Sequence, residues 1–435
     1  MTPVVLLELN EVALPYLERY LGSGLLPNFA ILLKRHGYTR TESESVYDQL
    51  EPWIQWVTVH SGLKYKQHGI FRLGDILHSD LKQIYELLEE RGIQVGAVSP
   101  MNAANRLARA AFFVPDPWTG GKVSGPADLK RLYLAIAQAV NDNAQGHLTL
   151  GSFWSLLTGF LKYSRLGNWP LYFRYALGAR SKPWGRALFL DCLLADVFLK
   201  LWRTTAPNFS SLFLNGAAHI QHHYFFSSTA YEGNERNPDW YVKQEDDPLR
   251  DVYELYDRIL GVFLSSNADL RLIVATGLSQ EPSQRIVFYY RLRDHENFLR
   301  SIKVPFRRVL PRMSRDFLVE CDNENDARQA EKILLSGKTL DGTSVFEVDN
   351  RGASVFVTLS YPNFIEKGMK VVFGNVELSE FDQMVAFVAI KNSHHIGTGY
   401  LVDTGLPKGS PDQSVPLASV FDRILTAFSK TRLTT

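Results

Sequence analysis

The sequence predicts an α/β fold: a doubly wound sheet core, interrupted by a helical insertion and by a small α+β insertion. Three observations carry this expectation. Short continuous apolar runs, such as Val4-Val5-Leu6-Leu7 and Ile93-Gln94-Val95-Gly96-Ala97-Val98, read as strands buried on both faces. Amphipathic stretches with helical spacing alternate with them. Each run then ends in polar residues, at the sheet edge where open α/β folds bind their ligands.

The composition supports a large core. Of 435 residues, 45% are hydrophobic and 21% charged, which excludes overall disorder, collagen, coiled coil and a disulfide scaffold. The net charge of +1 carries no basic excess of the kind that marks a nucleic-acid binder. Cys192 and Cys321 lie far apart and form no metal-knuckle spacing, so both read as reduced structural residues. The first residues have no basic segment followed by a long apolar run, and no stretch of 18 apolar residues exists. A cytoplasmic protein is expected.

The elements follow in order. The first strand runs into Glu8-Leu9-Asn10-Glu11. Residues 14–35 have helical apolar spacing, with Gly37 as the stop, and residues 81–91 form a second helix before Gly92. Further strands are expected at 212–214, running into Asn215 and residues 219–223, and at 270–275, running into residues 276–280. Residues 126–207 read as mostly helical, with breaks at Gly167, Pro170, Gly178 and Pro183. Residues 300–380 carry strand signals at 317–319 and 354–357 around a charged helix at 325–335. The expected organisation is therefore core at 1–125, cap at 126–207, core at 208–299, α+β insertion at 300–380 and core at 381–435. The acidic run Gln244-Glu245-Asp246-Asp247 reads as a solvated loop.

Four constellations are candidates for chemistry. Glu51-Pro52-Trp53-Ile54-Gln55 has a proline suited to a first helical turn. That places Glu51 at a helix N-terminus, with Trp53 and Gln55 beside it. His219-Ile220-Gln221-His222-His223 puts three imidazoles on one helical face, an arrangement suited to a metal or a phosphate. His394-His395 precedes a strand. Six of the 11 histidines fall in these two clusters or at His60, and histidine is both a metal ligand and an acid–base group near neutrality. Arg291, Arg312 and Arg315 are candidates to clamp phosphate or carboxylate.

Taken in order, these pieces resemble the alkaline phosphatase superfamily, in particular its type I phosphodiesterase/nucleotide pyrophosphatase branch. Leu26-Pro27-Asn28-Phe29 is similar to that branch's Leu-Pro-Asn-Leu. Residues 56–70, with Ser61-Gly62 and His68-Gly69-Ile70, resemble its Thr-Gly…His-Gly-Ile signature. Residues 400–405 and 415–428 resemble its closing strand and helix. The resemblance covers most of the chain outside the two insertions and implies an alkaline-phosphatase-like core. Family members hold two metal ions, usually zinc, beside a Thr or Ser nucleophile. Here the first ligand Asp aligns with Asn10, the nucleophile with Pro52 beside Glu51, and a ligand Asp with Ala218. A further Asp-His pair aligns with Gly277-Leu278. His222 and His395 keep two ligand places, with His394 as the fallback for the second. The resemblance thus implies one divalent metal, zinc or manganese, on His222 and His395, rather than two.

A polar set at the expected crevice points to a rebuilt site: Glu8, Asn10, Glu51, Gln55 and His219 for catalysis, with Trp53, Asn215, Gln221 and the three arginines for substrate. The expected function is that of a diverged enzyme, a hydrolase or group transferase, acting on an anionic, phosphate-linked small molecule. A lipid- or nucleotide-linked sugar is the expected substrate class, with bacterial surface-polysaccharide assembly as the setting. The alternative is a non-catalytic scaffold or binding protein of the same fold. The cap adds a clue: residues 151–203 carry eight basic residues against Asp191 and Asp196, a net +6, and 12 aromatics. Basic, aromatic helices suit an anionic membrane surface or a lid over an anionic substrate. A lipid-linked substrate and a peripheral position at the inner membrane face follow as expectations, and no nucleic acid is expected.

Overall fold

The apolar runs that the sequence marks become the centre of one sheet. The computed structural model describes residues 2–141, 149–266, 269–312 and 315–429. β1 (Val4–Leu9) is buried along its whole length. It pairs in parallel with β5 (Phe209–Leu214) on one side and β6 (Arg271–Ala275) on the other. β3 (Val95–Val98) and β4 (Phe112–Val114) continue the sheet beyond β5. Beyond β6, β16 (Thr398–Asp403) runs antiparallel, followed by β2 (Thr39–Glu42) and β17 (Ser414–Pro416). The order is β17-β2-β16-β6-β1-β5-β3-β4.

Successive side chains of β1 face opposite layers. Val5, Leu7 and Leu9 pack among α1 (Leu14–Gly22), α2 (Pro27–His36), α9 (Gly185–Thr205), α10 (Gly216–Tyr224) and α11 (Pro248–Leu264). Val4 and Leu6 pack against α3 (Pro52–Ser61), α5 (Ile84–Glu90) and α15 (Ser419–Ala427) on the other face. The short α4 (Tyr65–His68) follows α3. This is the doubly wound α/β arrangement, with helices on both faces.

Residues 14–35 form two helices rather than one. Gly24 (φ +75°) and Leu26 (φ +59°) turn left-handed, and Pro27 starts a new first turn. Asp257 on α11 receives the amide of Phe29 at 2.8 Å, supplying the cap that Leu26 lacks. The acidic run at 244–247 is not simply a solvated loop, because Asp246 and Asp247 are buried. Asp247 caps α11 by accepting from Arg250 N (3.0 Å) and also receives the hydroxyl of Tyr20, while Asp246 pairs with Lys182. Acidic side chains at a helix start satisfy amides that water would otherwise have to reach.

The helical segment consists of α6 (Ala127–Asn141), α7 (Leu150–Tyr163), α8 (Trp169–Gly178) and α9. Asp191, buried on α9, accepts from Gly216 N (2.7 Å) and Tyr256 Oη (2.6 Å) and so fixes the first residue of α10. Burial pushes its carboxyl up to about 6, against the lowering effect of the Tyr256, Gly216 and Asn215 bonds. The folded protein therefore holds this proton more tightly than the unfolded chain. The resulting stabilisation is complete below about pH 4 and is lost as the pH rises to about 6. Asp191→Asn is expected to flatten that limb of the stability curve by up to about 3 kcal/mol. Urea titrations between pH 4 and 7 check this, and an unchanged limb in the variant refutes it.

The chain divides into two compact units. The first comprises residues 1–233, 239–282 and 393–435, and the second residues 234–238 and 283–392. The second unit contains the sequence-expected 300–380 segment and extends beyond both its ends. The chain leaves the first unit within β7 (Ser279–Leu292) and returns within β15 (Val385–Ile396). Inside the second unit, β8 (Arg308–Pro311), β9 (Asp316–Glu320), β11 (Phe346–Asn350) and β12 (Ser354–Leu359) form an antiparallel sheet in the order β11-β12-β9-β8. β10 (Gly337–Thr339), β13 (Val371–Phe373) and β14 (Val376–Leu378) form a second, smaller one. α12 (His295–Ser301), α13 (Glu324–Leu335) and α14 (Phe381–Met384) bury Phe298, Ala330 and Phe381 with the sheet residues Val319 and Val357. This is an α+β layout.

Candidate metal centre

The C-terminal ends of β1, β5 and β6 open toward one place, and three titratable side chains meet there. Past β1, Glu11 adopts φ +60°, a left-handed turn uncommon for a residue with a side chain. Two bonds hold that turn. Glu11 N donates to Thr276 O past the end of β6 (3.0 Å), and Gln221 Nε2 donates to Glu11 O (2.6 Å). β5 leads directly into α10, whose last turn carries His222. The final residues of β15 bring His395.

The geometry is close. Glu11 Oε2 lies 3.0 Å from His395 Nε2 and 3.3 Å from His222 Nε2, and the two Nε2 atoms are 3.0 Å apart. An ion about 2.0–2.1 Å from three tetrahedral donors holds them about 3.3 Å from one another. Two imidazoles and one carboxylate at this spacing thus fit a single divalent ion with one position left for a ligand. Glu11 is buried, while His222 and His395 keep 24% and 14% of their side-chain surface. Burial raises the Glu11 carboxyl, but His395 and His222 together outweigh it and hold the group well below the usual carboxylate range.

Outer partners orient these groups, as metal sites require. Asn10 Nδ2 donates to Glu11 Oε1 (3.0 Å) and to Asn215 Oδ1 (2.8 Å), and Trp56 Nε1 donates to Asn10 Oδ1 (2.7 Å). Gln280 Nε2 donates to Glu11 Oε2, and Ser393 Oγ donates to Gln280 Oε1. Ser393 Oγ also lies 3.5 Å from His222 Nδ1. Glu51, at the N-cap of α3, places Oε2 3.9 Å from His395 Nδ1.

Of the sequence candidates, His222 and His395 form the trio with Glu11, and Asn10, Asn215, Gln221 and Glu51 surround it. Gln221 is an anchor, since its amide also joins Ala13 N and Tyr253 Oη. His219 is exposed and faces His223, with ring centroids 4.9 Å apart, outside the trio. Glu8 is buried on the α3 side of the sheet, with both carboxylate oxygens 3.3 Å from His60 Nε2. Gln55 is buried and donates to Gln49 O (2.6 Å). Trp53 donates to Phe71 O (3.0 Å). Arg291, Arg312 and Arg315 belong to the second unit, where Arg315 lies over the Tyr289 ring at 4.2 Å.

Sequence reasoning aligned the first ligand with Asn10 and missed Glu11. The available signal was the second carboxylate in Glu8-Leu9-Asn10-Glu11. The backbone turn that brings Glu11 rather than Asn10 to the histidines has no signature in the sequence. At Gly277, where the resemblance places a lost ligand, φ is +74° and a Cβ would lie 3.1 Å from Trp56. A side chain there would be strained in its backbone and would press on the Trp56 ring.

No family model and no curated relative matches the sequence. Solved structures similar to this chain include phosphonoacetate hydrolase from Sinorhizobium meliloti 1021 in complex with phosphonoacetate, at 14% identity and TM-score 0.45, covering 98% of this chain and 96% of that one. Murine ectonucleotide pyrophosphatase/phosphodiesterase 5 is similar at 11% identity and TM-score 0.39, covering 98% and 94%. Alkaline phosphatase from the Antarctic bacterium TAB5 is similar at 11% identity and TM-score 0.40, covering 98% and 97%.

Proposed function

We propose that this chain binds one divalent ion through Glu11, His222 and His395 and acts on an anionic, phosphate-linked substrate as a hydrolase or group transferase. The observation that carries the reading is the mutual spacing of the three donors. When bound, such an ion polarises a phosphoryl oxygen and makes its water acidic enough to react near neutrality. The chain's own residues do the rest. Glu11 supplies the one negative charge of the donor set. Asn10 and Gln280 fix its two oxygens, so the carboxylate cannot rotate away. Glu51, partly exposed beside His395, is the group placed to take a proton from an incoming hydroxyl or water. A lipid- or nucleotide-linked sugar phosphate, used in surface-polysaccharide assembly at the cytoplasmic side, is the finer substrate reading. It is supported by the basic, aromatic helices of residues 151–203 and the expected cytoplasmic location, with the polysaccharide setting taken from the family resemblance.

A second reading has its own observation. Pro52 stands where the resembled family places its hydroxyl nucleophile, which favours a non-catalytic binding protein of this fold. One experiment separates the two. The purified, dialysed chain is expected to retain about one zinc, manganese or iron ion and to hydrolyse bis(p-nitrophenyl) phosphate, with a chelator abolishing turnover and added metal restoring it. A metal-free chain without turnover overturns the first reading in favour of the second.

A further inference from the structure

The helical segment shows solvent an apolar stripe that its own packing does not use. On α7, Leu150, Phe153, Trp154, Leu157 and Leu161 recur at i, i+3, i+4, i+7 and i+11, on one face, with exposures of 80%, 52%, 60%, 37% and 56%. The rest of α7 is the packed part, where Gly159 on the opposite face meets Leu132 and Phe160 on the flank stacks on Phe189. α8 continues the pattern with Phe173 and Leu177, 59% and 84% exposed, and Leu166 between the two helices is 78% exposed. The rings of Phe160, Trp169 and Phe173 connect the two helices, at 5.9 Å and 6.2 Å between centroids. Apolar exposure this dense marks a contact surface.

The charge around the stripe has one sign. Asp191 and Asp196 are the only acids between residues 151 and 203, and both are buried. Every charge that this stretch presents to solvent is therefore basic. Lys162, Arg174 and Lys182 are matched by Asp128, Asp251 and Asp246 from outside it. Arg180 and Arg186 stand exposed just past α8. A second copy docked by the same face would set this basic rim against itself. An anionic lipid surface complements it, receiving the leucines and aromatics in its interfacial layer and the arginines among its headgroups. No helix among the described residues is long and apolar enough to cross a membrane, so the helices would lie on the surface rather than span it.

We infer that α7 and α8 form an interfacial docking face that lays this protein on an anionic lipid bilayer. The inference rests on these two helices and the basic residues that flank them, and stands whether or not the metal reading holds. The full chain is expected to float with vesicles of phosphatidylcholine and phosphatidylglycerol, to float weakly with phosphatidylcholine alone, and to lose binding as salt is raised. Trp154→Ser with Leu177→Ser is expected to weaken partitioning at least about tenfold at an unchanged thermal midpoint. Leu150→Ser with Leu166→Ser gives the same loss from different positions. Arg180→Glu with Arg186→Glu is expected to cost about tenfold or more on the anionic vesicles and nothing on the neutral ones. The inference is overturned by absence of flotation, by equal partitioning to both vesicles, or by apolar variants that float like the wild type. It is equally overturned by a chain that does not float and sediments as a dimer, with Trp154→Ser/Leu177→Ser restoring the monomer.

Discussion

His222→Ala is expected to strip the chain of its metal while leaving it folded. The imidazole supplies one of three donors, 3.0 Å from the His395 Nε2 and 3.3 Å from Glu11 Oε2. Loss of an outer partner of a metal site commonly costs about 10–100-fold in affinity, and loss of a ligand costs more. A fall beyond about 100-fold is therefore expected, read by elemental analysis after dialysis and by competition with a chromogenic chelator. The side chain is partly exposed, so truncation removes little packing. His219→Ala serves as the control: it lies on the same helix, is exposed and stays outside the trio. It is expected to retain the metal. Equal metal content in the two variants would remove the trio from consideration as the binding site.

His60→Ala is expected to destabilise the first unit. Glu8 and His60 have no exposed side-chain surface, and their partnership lies inside the layer formed by Trp56, Tyr85 and Phe213. Removing the imidazole leaves the Glu8 carboxyl group buried among aromatic rings without its partner, at a cost of about 1–3 kcal/mol. Stability of a domain is about 5–15 kcal/mol in total, so urea unfolding will register this as a clear shift in midpoint. The paired replacement Glu8→Leu with His60→Leu is expected to return close to wild-type stability, because neither buried polar group is then left without its partner. It is also expected to keep the metal, which would assign Glu8 to the core rather than to the chemistry. A His60→Ala midpoint equal to the wild type's would show that Glu8 is satisfied some other way.

Much of this architecture was legible because burial writes itself into composition. The strands buried on both faces, β1, β3, β5 and β6, are apolar runs, and α13 is a charged amphipathic stretch. β2 was not legible. Thr39-Arg40-Thr41-Glu42 is a polar tetrapeptide near the sheet edge, ordered by its pairing with β16 rather than by propensity. The break between α1 and α2 was written in Gly24 and Pro27 but overridden by a continuous helical spacing. At the site, His222 and His395 stood out as clustered histidines, rare residues with few reasons to gather. Glu11 did not, because its selection over Asn10 and Glu8 depends on one left-handed φ. Glu8 looked equivalent in the sequence and differs only in facing the other layer.

The donor trio is drawn from three distant stretches of chain. A ribosome delivers Glu11 first, His222 much later, and His395 only after the whole second unit has been translated. Such a centre cannot seed folding as a compact zinc knuckle does. On the proposed reading, metallation waits until His395 has been translated, and a product halted before Ser393 would lack that donor however well its remaining helices assemble.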